Sequence, residues 1–103
     1  MLSTMQHKKI AASLFSALKS GKALTPITET HPGISIDDAY KISLAFLDLR
    51  VVKNNEKIVG KKIGVTSKAV QDMLGVFQPD FGFLTDGMAV LDGRVNVDCL
   101  ISP

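Results

Sequence analysis

A chain of 103 residues is one domain's worth of polypeptide, and its 46% hydrophobic and 21% charged residues exclude wholesale disorder. Twelve Lys+Arg against ten Asp+Glu leave a formal charge of +2 with no block of like charge, so no nucleic-acid partner is expected. The single cysteine, Cys99, excludes an internal disulfide and a zinc knuckle, which makes the reducing cytoplasm the expected compartment. No apolar run approaches the roughly 18 residues of a membrane span, so no membrane partner is expected either.

Lys8-Lys9 ahead of residues 10–18 has the outline of a short signal peptide. Lys19 and Lys22, however, occupy places where small neutral cleavage residues belong, and Ser13 and Ser16 fall on the polar side of a helix. Ile10, Leu14 and Leu18 repeat every four residues with Ala11 and Phe15 beside them, so the favoured reading is an amphipathic helix over 3–20, stopped at Gly21. Residues 24–33 form a connector broken by Pro26 and Pro32. A second helix then starts with Ser35 as N-cap, Asp37 and Asp38 in the electropositive first turn, and Ile34 placed to staple onto Ala39. Its buried stripe is Ile42, Ala45, Phe46, Leu49 and Val52, and Asn54-Asn55 ends it.

The period then changes. Residues 58–65 read as a strand, Thr66-Ser67 caps a short helix over 68–74 closed by Gly75, and Gln78-Pro79-Asp80 makes a turn. Residues 81–90 are strand-like, Asp92-Gly93 has hairpin-turn chemistry, and 94–101 read as a last strand. Helices first and strands after argue for an α+β fold: a helical region over 1–54, then a β-rich region over 55–103. Val95, Val97, Leu100 and Ile101 look poised to pair just as the sequence reaches Ser102-Pro103, which suggests a fragment or a chain completed by a partner.

Chemistry concentrates in Gly60-Lys61-Lys62-Ile63-Gly64. Alternate strand residues share a face, so Lys62 stands between two glycines with open space around its ammonium, suited to a carboxylate or an enolate oxygen. A surface lysine on a glycine-weakened strand has the same spacing, and Lys61 on the other face reads as an edge residue that snorkels. Asp80 is either a local turn-former after proline or a carboxylate poised as a general base, and spacing alone does not place it near Lys62. Gln78 has the same standing. Residues 60–67 lack the ending of a phosphate loop. His7 and His31 read as surface histidines, Cys99 as a small buried hydrophobe, and Phe77, Phe81 and Phe83 as core or pocket lining. No Asp/Glu/His cluster has metal-ligand spacing.

Gly60-Lys61-Lys62-Ile63-Gly64-Val65-Thr66-Ser67-Lys68-Ala69-Val70, Met73-Leu74-Gly75-Val76, Gln78-Pro79-Asp80-Phe81-Gly82 and Leu84-Thr85-Asp86 together resemble one enzyme family. It is the 2-oxopent-4-enoate (2-hydroxypenta-2,4-dienoate) hydratases of aromatic meta-cleavage catabolism, within the fumarylacetoacetate hydrolase superfamily. Asp37-Asp38-Ala39-Tyr40 with Ile42-Ser43-Leu44 resembles the family's second helix. The resemblance implies a helical pair followed by the first strands of that superfamily's β-rich catalytic domain. It implies a hydro-lyase that turns a small 2-hydroxydienoate into 4-hydroxy-2-oxopentanoate with Mg²⁺ or Mn²⁺, with Lys62 as active-site lysine, Asp80 as acid/base and Leu84 at the pocket wall. It also implies a homo-oligomer, with the pathway decarboxylase as a further partner. The family's metal-binding acidic segment follows the position of Pro103, so this chain holds no metal ligands and the isolated chain is expected to be inactive. The alternatives are the sister 4-oxalocrotonate decarboxylase, which shares much of the motif, and a non-catalytic oligomerisation module.

Overall fold

The computed structural model describes residues 1–101; Ser102 and Pro103, the last two residues of the expected β-rich region over 55–103, lie outside the described residues. The fold is α+β, and the chain divides into two compact units, one of Met1–Asn55 with residues 90–101 and one of Glu56–Ala89.

In the first unit, helix α1 spans Thr4–Ser20, α2 Ile27–Thr30 and α3 Ile36–Lys53. The two long helices start and stop where their caps dictate. Ser3 and Ser35 are N-caps with complete capping boxes, the partners being Gln6 and Asp38, and Gly21 takes a left-handed φ of 71° to end α1. The core is Ile10, Ala11 and Ile42, with Leu2, Leu14, Ile27, Ile34, Ala45, Phe46 and Leu49 packed on it. Phe15 meets Phe46 edge-to-face at 6.2 Å between ring centroids. Val52 departs from the expected stripe and is 70% exposed. At 100° per residue it lies about 80° off the line of Ile42, beyond the edge of the buried face.

His7 is not a surface residue. It is 5% exposed, and its Nε2 lies 2.7 Å from Asp38 Oδ1 in a side chain with no exposed surface. The same carboxylate accepts from Leu2 N (3.1 Å), Ser35 N (3.1 Å) and Ser35 Oγ (2.9 Å). The His7 hydrogen bond, with those from Ser35 and Leu2, holds the Asp38 carboxyl well below the usual carboxylate range against the opposing effect of burial. An ionised carboxylate only accepts, so the proton shared in the pair sits on His7 Nε2.

In the second unit, β1 spans Ile58–Gly64, α4 Lys68–Leu74 and β2 Asp80–Thr85. The strands pair antiparallel, with Lys61 opposite Phe83, Lys62 opposite Gly82, Ile63 opposite Phe81 and Gly64 opposite Asp80, and with an irregularity between Ile58 and Gly60. β1 ends one residue earlier than its alternation suggests because Val65 turns into a left-handed φ of 54°. β2 stops at Thr85 because Asp86 folds back on Lys57: Asp86 N donates to Lys57 O at 3.0 Å and Asp86 Oδ1 accepts from Lys57 N at 2.9 Å. A short 3₁₀ turn, Asp86–Met88, follows where a longer strand was expected. Beneath it, Thr85 Oγ1 donates to Glu56 Oε1 at 2.6 Å, both residues being buried.

The expected strand over 94–101 is absent among the described residues. Asp92 Oδ1 accepts from Arg94 N, Asn96 Oδ1 accepts from Asp98 N, and Val97–Cys99 is a 3₁₀ turn. Local side-chain acceptors here outcompete the ladder that a strand would need. Cys99 is therefore exposed rather than buried. Phe77 and Phe81 also contradict the expectation of core packing, at 96% and 53% exposure.

Candidate active site

Antiparallel register places Gly60, Lys62 and Gly64 of β1 and Asp80, Gly82 and Leu84 of β2 on one face of the sheet, because directly opposed residues share a face and the pattern repeats every two. Lys62, Asp80 and Leu84 thus stand together. Lys62 Nζ donates to Asp80 Oδ2 at 2.9 Å, and the two side chains are 49% and 53% exposed.

The glycines create the room. A Cβ on Gly82, the residue opposite Lys62, would lie 3.2 Å from Lys62 Cε, and a Cβ on Gly60 would lie 3.8 Å from Leu84 Cδ1. The long lysine stem lies across Gly82 and reaches along the face to Asp80, two residues away on the same strand. A cation next to a carboxylate, on an open face with an apolar side chain one rung further on, can bind an anionic oxygen and hold or move a proton. The other face carries Lys61, Ile63, Phe81 and Phe83, with the Lys61 ammonium 5.7 Å from the Phe83 ring centroid. Lys61 thus lies over an aromatic ring on the face away from Asp80.

His7, His31 and Cys99 lie in the other unit. Among the described residues, no three His, Cys, Asp or Glu side chains converge to hold a metal ion. Two residues of this unit escaped the sequence reading. Glu56 underlies the end of β2, and nothing local in its surroundings signals that. Gln71, in the middle of α4, donates from Nε2 to Val65 O at 2.9 Å. A β-branched valine between Gly64 and a helix cap was the available signal that something must hold the chain there.

Comparison with known proteins shows what the chain is similar to. The chain is 58% identical over 80 residues to a 2-hydroxyhexa-2,4-dienoate hydratase of Comamonas testosteroni, covering 78% of this chain and 30% of that protein. It is 49% identical over 86 residues to a 2-hydroxypent-2,4-dienoate hydratase of Pseudomonas putida, covering 84% and 38%. The chain is a homologue of the 2-keto-4-pentenoate hydratases. It spans about a third of the length of these relatives. The fold is shared with 4-oxalocrotonate decarboxylase from Pseudomonas putida G7, solved with calcium and acetate, at a TM-score of 0.77 and 30% identity over 84% of this chain and 33% of that one. The same decarboxylase with magnesium and adipate gives 0.75. No family model matches the chain. No helix among the described residues is long and apolar enough to cross a membrane.

Proposed function

We propose that this chain carries the proton-handling face of a 2-hydroxypenta-2,4-dienoate hydratase of aromatic catabolism. One observation supports the reading above others: a lysine and an aspartate 2.9 Å apart on an open, glycine-flanked face, in a homologue of dienoate hydratases. An isolated vinyl group resists water, so the dienol must first become a conjugated enone. The 2-hydroxyl proton leaves, C5 gains a proton and the double bond moves to C3–C4. Water then adds at C4, and C3 takes its other proton, giving 4-hydroxy-2-oxopentanoate. Negative charge gathers on the C2 oxygen in both steps. Lys62 is placed to hold that oxygen or the neighbouring carboxylate, Asp80 to take and return a proton, and Leu84 to wall the hydrocarbon end.

Mg²⁺ or Mn²⁺, implied by the family resemblance, requires a near-complete oxygen shell. The described residues do not fit it, since no donor cluster converges there. The roles assigned above are therefore those of this chain's own side chains. In this reading the isolated chain is inactive, the remaining groups lie in the two thirds of the relatives that it does not match, and the assembly is a cytoplasmic homo-oligomer, with the pathway decarboxylase as a further partner. The 1–54 and 55–103 division is then a helical region and the opening of the catalytic domain.

A second reading, decarboxylation of 4-oxalocrotonate, is favoured by the solved neighbours. The higher identity to hydratases weighs against it. The deciding assay follows loss of the dienoate absorbance with added Mg²⁺ or Mn²⁺. It uses this chain alone and a form continued through the rest of a hydratase sequence. No turnover by the chain alone, and turnover by the continued form that Lys62→Ala or Asp80→Asn abolishes, is expected. A continued form indifferent to both substitutions overturns the roles, and one that releases CO₂ from 4-oxalocrotonate instead is the decarboxylase. No turnover in either form, with co-elution beside a full-length relative, identifies an interaction module.

A further inference from the structure

Val65 sits at φ 54°, a conformation that a β-branched residue rarely adopts. It follows directly on Gly64, whose cross-strand partner is Asp80. The bend in the chain therefore falls beside the rung that carries the aspartate.

A closed loop surrounds the bend. From Val65 the chain runs through Thr66 to Ser67, whose Oγ caps α4 by accepting from Val70 N at 3.2 Å. One turn of helix later, Gln71 sends its side chain back, Nε2 donating to the carbonyl oxygen of Val65 at 2.9 Å. Gln71 is also tied to the cap through its backbone, its N donating to Ser67 O at 3.0 Å. A strained residue persists only where its surroundings over-determine it, and the Gln71 amide is the group aimed at Val65's carbonyl.

We propose that Gln71 is a positioning residue: by clamping Val65 in its left-handed conformation it fixes the last rung of β1 and so holds Asp80 against Lys62. The proposal rests on the reading of Lys62 and Asp80 as the reacting pair. Gln71, whose hydrogen bonds go to Val65 O and Ser67 O, acts through the backbone of residues 64 and 65.

The test uses the chain labelled for NMR and needs no turnover. One-bond Cα–Hα couplings report φ at Val65. The carboxyl-carbon titration of Asp80, recorded with and without Lys62→Gln, reports whether the lysine still faces the aspartate. In Gln71→Ala, Val65 is expected to leave positive φ and the response of Asp80 to Lys62→Gln to disappear. Val65→Gly removes the need for a clamp, because glycine adopts this φ without strain. Adding Val65→Gly to Gln71→Ala is therefore expected to restore the response. A Gln71→Ala chain that keeps both the positive φ and the Asp80 response overturns the proposal. If Gln71→Ala unfolds the second unit, the double variant decides: a restored response supports the clamp, and a folded double variant without it refutes the clamp. Failure of the hydratase reading would appear in the turnover assay and leave these signals unchanged.

Discussion

Gly87→Ala tests whether the end of β2 is held by a buried carboxylate. A Cβ at Gly87 would fall 2.6 Å from Glu56 Cδ and 3.0 Å from Glu56 Cγ, and closer still to Oε1. Ordinary carbon contacts are about 3.5–4.0 Å, so the carboxylate must retreat by roughly 1 Å. Glu56 is 8% exposed and Thr85 is 2% exposed, and the hydroxyl-to-carboxylate bond between them is 2.6 Å long. Retreat breaks that bond. Overpacking costs about 1–3 kcal/mol and loss of a hydrogen bond to a charged acceptor about 1.5–3 kcal/mol. Relaxation makes the two overlap, so the expected destabilisation is about 2–4 kcal/mol. Amide exchange at Asp86, whose N–H donates to Lys57 O, reads the loss directly. At about 1.4 kcal/mol per tenfold, protection should fall by roughly 30-fold to 1,000-fold. Thr85→Val removes the same hydrogen bond, so the two substitutions together should cost less than their sum. Unchanged protection in Gly87→Ala, or strict additivity with Thr85→Val, refutes the reasoning.

Acid should loosen the first unit through Asp38. Its folded-state carboxyl lies below its unfolded value, so its contribution is fully present above about pH 4 and is lost as pH falls from there toward the folded-state value. Asp38→Asn should flatten that part of the acid-unfolding curve measured by circular dichroism, and an unchanged slope would sink the assignment. Lys62→Ala should leave the urea midpoint almost untouched, because a half-exposed ion pair contributes at most about 1 kcal/mol. A large loss of stability would mean that the pair is structural rather than chemical.

The helices were legible because their signals are local. Ser3, Ser35 and Ser67 each satisfy an orphan N–H within their own first turn, and Gly21 and Gly75 both take left-handed φ values of 71°. The single turn Ile27–Thr30 escaped because Pro26 and Pro32 mark a connector without saying what lies between them. His7 escaped for a different reason: its partner is 31 residues away, and no periodicity links a histidine on one helix to the N-terminus of another. Strand ends failed for a third. Val65 and Asp86 end their strands through a backbone bend and a carboxylate fold-back, which hydrophobic alternation does not encode.

The candidate site divides in the same way. Glycine spacing alone suggested open space around Lys62, since two neighbours on its face lack side chains. Asp80 required the register, which places it opposite Gly64 across a connection of 15 residues. That register is held at one end by the Lys57–Asp86 bonds and flanked at the other by the Gln71 clamp. Once it is set, parity does the rest: residues 80, 82 and 84 share the face of 60, 62 and 64. The polar pair and its glycines then occupy one side of the sheet, while Ile63, Phe81 and Phe83 take the other. A one-residue slip in either strand would put Lys62 and Asp80 on opposite faces and separate cation from carboxylate. The two small anchors at the strand ends, rather than the half-exposed ion pair itself, are therefore what keep the candidate reacting groups together.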